Sequence, residues 1–305
     1  MTKKDYSAVF ISPHLDDAVF SCGGKIAELS KLKKVFVFNI FTSYDEDTHN
    51  RSVVFGNERL IEEENASKVL NYDFFNLNEK DAFFRGFRKG SIAKVFYPPT
   101  SEDLIYLENL KEKIFATLES IKFDEIYVPL AIGWHIDHYL IHLIFNDPMN
   151  PFKGKIRFYE DVPYVFFPGA RLERFAFLQN QTTSLIKNTL SISKAFFNSG
   201  MTQKIKKFPW RYLIMPFMAF YFLKLILLHR KFLRKVQRNQ LFSQYTFENH
   251  NCDANIELKI SAVLCYQSQV REFFISENHL RMDYTKYSNE IDPSCLLIEK
   301  YWIPK

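Results

Sequence analysis

Short, nearly unbroken apolar runs punctuate the first half of the chain. Residues 7–12 (SAVFIS), 34–41 (KVFVFNIF) and 124–130 (DEIYVPL) read as buried strands, and 156–160 as a further one. Between the first two, residues 17–32 have helix-like spacing, which makes a βαβ unit with parallel strands. Residues 58–70 (ERLIEEENASKVL) form a charged amphipathic helix. Residues 101–121 form another, opened by Ser101 with Glu102 and Asp103 in its first turn. A late helix is expected over 255–274. The pattern predicts an α/β fold, a Rossmann-like open parallel sheet with helices on both faces, built mainly from residues 1–170 and completed by 250–305.

A different pattern fills the gap between those segments. Residues 212–228 (YLIMPFMAFYFLKLILL) are apolar on every side, interrupted only by Pro216 and Lys224, with basic stretches before and after. Seventeen residues fall short of the ~20 that a spanning helix needs. Residues 174–247 are therefore expected to be a basic, apolar helical insert. Within it, 204–238 should lie on an anionic membrane surface, with Trp210, Phe217, Phe220, Phe222 and Leu225 turned outward and Lys or Arg on the headgroups. Packing of the same segment against the body is the competing reading.

Charge sharpens this division. From Arg174 to Phe247 there are thirteen Lys or Arg and no Asp or Glu, which leaves 27 basic against 35 acidic residues elsewhere. An acidic body thus carries a basic insert. Nucleic acid is not the expected partner, because a polynucleotide groove calls for spaced stacking aromatics rather than a continuous apolar run. The four cysteines are scattered without a C-x-x-C, and the first residues do not form a secretory signal. The expected location is cytoplasmic, at most peripheral on the inner face of the membrane.

Candidate chemistry sits directly after two of the strands. Ser12-Pro13-His14-Leu15-Asp16-Asp17 follows the first, and Gly133-Trp134-His135-Ile136-Asp137-His138 follows 124–130. Parallel α/β sheets bind ligands beyond the carboxyl ends of their strands, so both clusters belong on one rim. Three imidazole and carboxylate ligands with an open position suit catalytic zinc, and His14, Asp17 and His138 would supply them. Asp16 would be left to accept a proton from activated water. His142, four residues after His138, is expected to be a packed helix histidine, and Cys22 a small buried residue.

PHLDD, GWHIDH and Phe158-Tyr159-Glu160-Asp161-Val162-Pro163-Tyr164 resemble the LmbE-like (PIG-L) zinc-dependent N-deacetylases. Arg59 with Glu62 and Glu63, and Tyr266-Gln267-Ser268-Gln269, are further echoes. Against the common P-H-P-D-D-E form, Leu15 replaces a proline and Ala18 a glutamate, while the metal and base positions are unaltered. The resemblance implies His14, Asp17 and His138 as zinc ligands, Asp16 as general base, a protonated His135 as oxyanion stabiliser and Asp137 as its modulator. Fe(II) or Co(II) would also suit this ligand set. Glu160 and Asp161 are candidates for binding substrate hydroxyls. Arg59 would contact sugar or phosphate, or pair with Glu63.

Together these readings predict a metal-dependent hydrolase that removes an N-acetyl group from an amino sugar, the basic insert favouring a glycolipid or lipid-linked substrate. The alternatives are a deacetylase of a small soluble sugar conjugate and a non-catalytic membrane- or partner-binding protein on the same fold. The sequence leaves the oligomeric state open.

Overall fold

A computed structural model describes residues 3–44, 57–202, 211–236 and 244–305. Among them, seven strands form one sheet: β1 (Asp5–Ser12), β2 (Val35–Asn39), β3 (Tyr72–Asn76), β4 (Lys122–Pro129), β5 (Ile156–Tyr159), β6 (Tyr245–Asn251) and β7 (Ile298–Pro304). Their order is β3-β2-β1-β4-β5-β7-β6. The first five are parallel, with Val9 beside both Phe36 and Ile126. The apolar runs become strands because helices cover both faces: Val9, Phe10, Ile11, Phe38, Ile126 and Val128 are fully buried. The sheet is mixed rather than wholly parallel, since β7 runs antiparallel to both β5 and β6.

After β1 the chain winds outward through β2 and β3, then returns to β4 on the other side. The order therefore reverses between β1 and β4, and a crevice opens beyond their carboxyl ends. Helix α1 (Asp17–Leu29) leaves β1, α2 (Asn57–Leu70) leads into β3, and α3 (Ser101–Glu119) leads into β4. Thr100, one residue before the expected start of α3, caps it in a reciprocal box with Asp103. Helix α4 (Ile136–Phe145) follows β4.

The basic segment lies within a layer of three helices, α5 (Pro168–Leu178), α6 (Leu185–Asn198) and α7 (Arg211–Val236). Helices α5 and α6 approach closely at Gly169, where a Cβ would lie 2.4 Å from the Asn188 carbonyl oxygen. Helix α7 is tied to the body by Tyr221, whose hydroxyl donates to the Ala93 carbonyl (2.7 Å), by His229 on the Phe96 carbonyl (2.8 Å) and by Arg230 on Glu173. Phe217 and Phe220 are exposed as expected, at 75% and 69%. Leu225 is not: it is buried, together with Ile226 and Leu233, and Phe222 is half-buried. A run that is apolar all round does not reveal which face will pack. Trp210 and the cations before it lie outside the described residues. No described helix is long and apolar enough to cross a membrane.

The expected late helix is two, α8 (Ile256–Val263) and α9 (Gln267–Phe273), followed by α10 (Glu277–Ile291). Tyr266 and Ser268 reach back to α2: the Tyr266 hydroxyl donates to Glu63 (2.7 Å), and the Ser268 N–H and hydroxyl donate to Glu62 (2.7 and 2.6 Å).

Candidate metal centre

Both chemical clusters are held by unusual backbone. Asp16 sits at φ +150° before α1. The Ser12 hydroxyl braces the loop, donating to the His14 carbonyl and accepting from the Ala18 N–H. Beyond β4 the chain turns through left-handed Ala131, Gly133 and Trp134. At Gly133 (φ +82°) a Cβ would meet the Tyr164 ring at 2.5 Å, so the position is closed to side chains on two counts. Strained conformations of this kind persist where surrounding contacts fix them, as the buried loops here do.

These turns bring the two clusters together. Asp17 Oδ2 lies 3.1 Å from His14 Nδ1 and 3.2 Å from His138 Nε2. The ligating nitrogens of His14, His135 and His138 all fall within 4.8 Å of one another. Asp16 is beside them, its Oδ1 accepting from Arg59 at 3.0 Å. His14, Asp16, Asp17, Arg59 and His135 line one pocket of about 430 Å³, with Asp81 and Gln269.

The remaining expected residues occupy other places. Asp161 is buried behind the histidines: Oδ1 is 2.7 Å from His138 Nδ1, and Oδ2 accepts from the Ile132 N–H. Glu160 is turned away, between the Tyr287 hydroxyl and the Trp302 indole N–H, both donating at 2.8 Å. Neither carboxylate lines the pocket, so the substrate-binding expectation does not match their placement. Arg59 pairs with Asp16 instead of Glu63, and it also donates to the Leu15 carbonyl. The Asp137 carboxylate lies on His14 Nε2 (3.1 Å) and accepts from Arg85 and the Ala82 N–H. It reaches His135 only through charge, while its backbone N–H donates to His135 Nδ1 (3.4 Å). His142 is packed against the Pro129 carbonyl, and Cys22 is buried, as expected.

Sequence reading missed Asp81 and Arg85. Asp81 Oδ2 is 3.5 Å from His14 Nε2, and its Oδ1 accepts from the Phe83 N–H. Arg85 lies over Phe41 and Tyr106 and donates to the Lys80 carbonyl and to Asp137. Both come from a stretch of short 3-10 turns, where no periodicity marks them.

The electrostatics suit a cation. Asp16, Asp17, Asp81, Asp137 and Asp161 are buried, while the arginines paired within this group are Arg59 and Arg85. Positive charge is short, and protons fill the deficit. Burial opposes charge on His138, but Asp17 and Asp161 outweigh it and lift the pKa to about 9. His14 is raised in the same way, against burial, by Asp137 and Asp17. Burial, reinforced by the charge of Asp17, pushes Asp16 up to about 7 against the pull of Arg59. Burial and then the positive field of His14 hold His135 well below its ordinary value, so this imidazole is neutral rather than protonated. Its Nδ1 accepts from Asp137, which leaves the proton on Nε2. A divalent cation would replace the protons on His14 and His138. The His138–Asp161 bond is the outer contact that orients a metal-binding imidazole, so the donor set fits such an ion.

Known proteins resemble this chain in sequence and in fold. Residues 9–147 match the family described as PIG-L, GlcNAc-PI de-N-acetylase. The chain is 26% identical over 163 residues to 2'-N-acetylparomamine deacetylase of Streptomyces fradiae, covering 51% of this chain and 57% of the relative. The match thus spans little more than half of that relative's length. Among solved structures, a deacetylase–bog complex from the biosynthesis pathway of teicoplanin aligns over 97% of this chain and 96% of its own, with a TM-score of 0.63 and 16% identity. The zinc inhibited form of a teicoplanin deacetylase aligns over 97% of both chains, with a TM-score of 0.62 and 15% identity. The two motif-bearing loops that meet at one rim of this fold both fall within the residues that match the PIG-L family, and the rest of the chain resembles the deacetylase structures in fold.

Proposed function

We propose that this protein is a metal-dependent amidase that removes an N-acetyl group from an amino sugar. The observation that carries the reading is Asp17, which bridges His14 and the buried His138 at the wall of a pocket where a second carboxylate, Asp16, is held on Arg59. His14, Asp17 and His138 would hold the ion, zinc in the first instance. Bound there, it supplies Lewis-acid polarisation of the amide carbonyl and of water at neutral pH.

The chain's own residues do the rest. Asp16 accepts the proton of the attacking water, its orientation set by Arg59. His135, with its proton on Nε2, donates to the oxygen that becomes negative as the carbonyl carbon turns tetrahedral. Asp16 then passes its proton to the leaving nitrogen, and the C–N bond breaks to give acetate and a free amine. Asp161 keeps the His138 ring fixed throughout, and Asp137 with Arg85 does the same for His14.

The substrate class is supported by the similar protein of Streptomyces fradiae, a 2'-N-acetylparomamine deacetylase. A lipid-linked sugar at an anionic surface rests on less: the exposed Phe217 and Phe220, with exposed Lys231, Arg234 and Lys235 further along α7. Mass spectrometry after incubation with 2'-N-acetylparomamine and with N-acetylglucosaminyl lipids tests the proposal. Loss of one acetyl group that requires added zinc, Fe(II) or Co(II) is the expected result. Metal-independent turnover would overturn it.

A further inference from the structure

The pocket that His14 and His135 line has walls of two kinds. Asp16, Arg59, Asp81 and Gln269 offer hydrogen bonds, while Phe96, Phe196 and Met201 offer none or almost none and Tyr164 adds a ring with a single hydroxyl. That apolar group is shared with a second cavity of about 370 Å³, walled further by Trp134, Ile192, Phe222 and Leu225. The junction stands at the reacting groups themselves. Phe96 meets His135 edge-on at 5.6 Å between ring centres, and Tyr164 meets His138 at 5.7 Å. An amide extends in two directions from its carbonyl carbon. Sugar hydroxyls need the hydrogen-bonding lining, which leaves the apolar lining to the acyl side. A single methyl group would leave the second cavity unused, whereas hydrocarbon gains by entering it.

Resting on the amidase reading above, we propose that the second cavity receives the tail of an N-acyl group longer than acetyl, so that the enzyme cleaves medium-chain N-acyl amino sugars. The reaction is unchanged in kind. Water adds to the acyl carbon, the C–N bond breaks, the proton goes to the amine nitrogen, and a fatty acid and a free amino sugar leave.

The test is kcat/KM for N-acetyl-, N-butyryl-, N-hexanoyl- and N-octanoylglucosamine with the metal-loaded enzyme. Burying a methylene improves binding by roughly threefold to fourfold, so a rise of about that size per methylene is expected until the cavity is full. Ala93 is an exposed residue at the rim of this cavity, and Ala93→Trp should reduce the octanoyl-to-acetyl ratio of kcat/KM. Cleavage of acetyl without any gain along the series overturns this inference alone. A gain seen instead with the octyl glycoside of N-acetylglucosamine assigns the cavity to the aglycone and also overturns it. If no member is cleaved and 2'-N-acetylparomamine and N-acetylglucosaminyl lipids are also left intact, the amidase reading fails. Calorimetric titration of Asp16→Asn with the same series then still judges the cavity: affinity rising with chain length supports it, and flat affinity ends it.

Discussion

The rim beyond β1 and β4 and the helical layer of α5 to α7 are held in place by different physics. At the rim, Asp17, Asp137 and Asp161 each answer at least one imidazole, so orientation is set by charged hydrogen bonds in a dry environment. In the helical layer, apolar side chains do most of the packing, with a few polar ties such as Arg230 on Glu173. Hydrogen bonds fix angles, whereas apolar contact fixes only distance and area. The first arrangement suits chemistry that tolerates little displacement, and the second suits a wall that accommodates substituents of varying length.

Substitutions in the two regions should therefore fail in different ways. The largest effect is expected from Asp16→Asn, which keeps shape but cannot accept a proton: kcat should fall by roughly 10²–10⁴-fold with metal content intact by elemental analysis. Loss of metal with this variant would mean that Asp16 belongs to the ligand set. Asp161→Ala removes the partner of His138 Nδ1 without touching the pocket. A decrease of about 10–100-fold in metal affinity, read by competition with a chelating dye, is the expected result. Unchanged affinity would show that His138 is not held through Asp161.

In the helical layer the effects should be on stability. Arg230→Met leaves the buried Glu173 carboxylate with only Asn188 as a partner, which should cost about 1–3 kcal/mol and lower Tm by several degrees. Metal affinity should hardly change; a parallel loss of metal would mean that the two regions are coupled. Smallest of all is Phe220→Ser on the outer face of α7, expected to alter stability by no more than ~0.5 kcal/mol. The same variant should reduce co-sedimentation with anionic liposomes at low salt. Equal sedimentation of variant and parent would remove the exposed phenylalanines from any membrane role.

The same contrast explains what could be read in the sequence. Strand runs such as KVFVFNIF are legible because burial on both faces leaves them almost without polar residues, and the HLDD and HIDH clusters are legible because polar groups at strand ends must go somewhere. Tertiary arrangement decided the rest. Asp161 and Glu160 are adjacent, yet alternation at the end of β5 sends one toward His138 and the other toward Trp302, and a sequence does not say which. Strand β6 was invisible for the opposite reason: it is an exposed edge whose alternation stops after Tyr245 and Phe247, the two rings that meet Trp302. Leu225 was misplaced because a helix apolar on all sides has no polar stripe from which to infer its inner face.

The embrace of Glu160 by Tyr287 and Trp302 has a consequence for the order in which this protein is made. Glu160 adjoins Asp161, which steadies His138, so a contact completed near residue 302 lies two steps from a residue at the heart of the pocket. During synthesis, residues 14, 17, 138 and 161 emerge long before Trp302 does. A nascent chain thus carries its metal-binding side chains through much of translation without the last brace on the segment that aligns them. Tight, selective metal capture is on this account acquired only once strand β7 has docked beside β5.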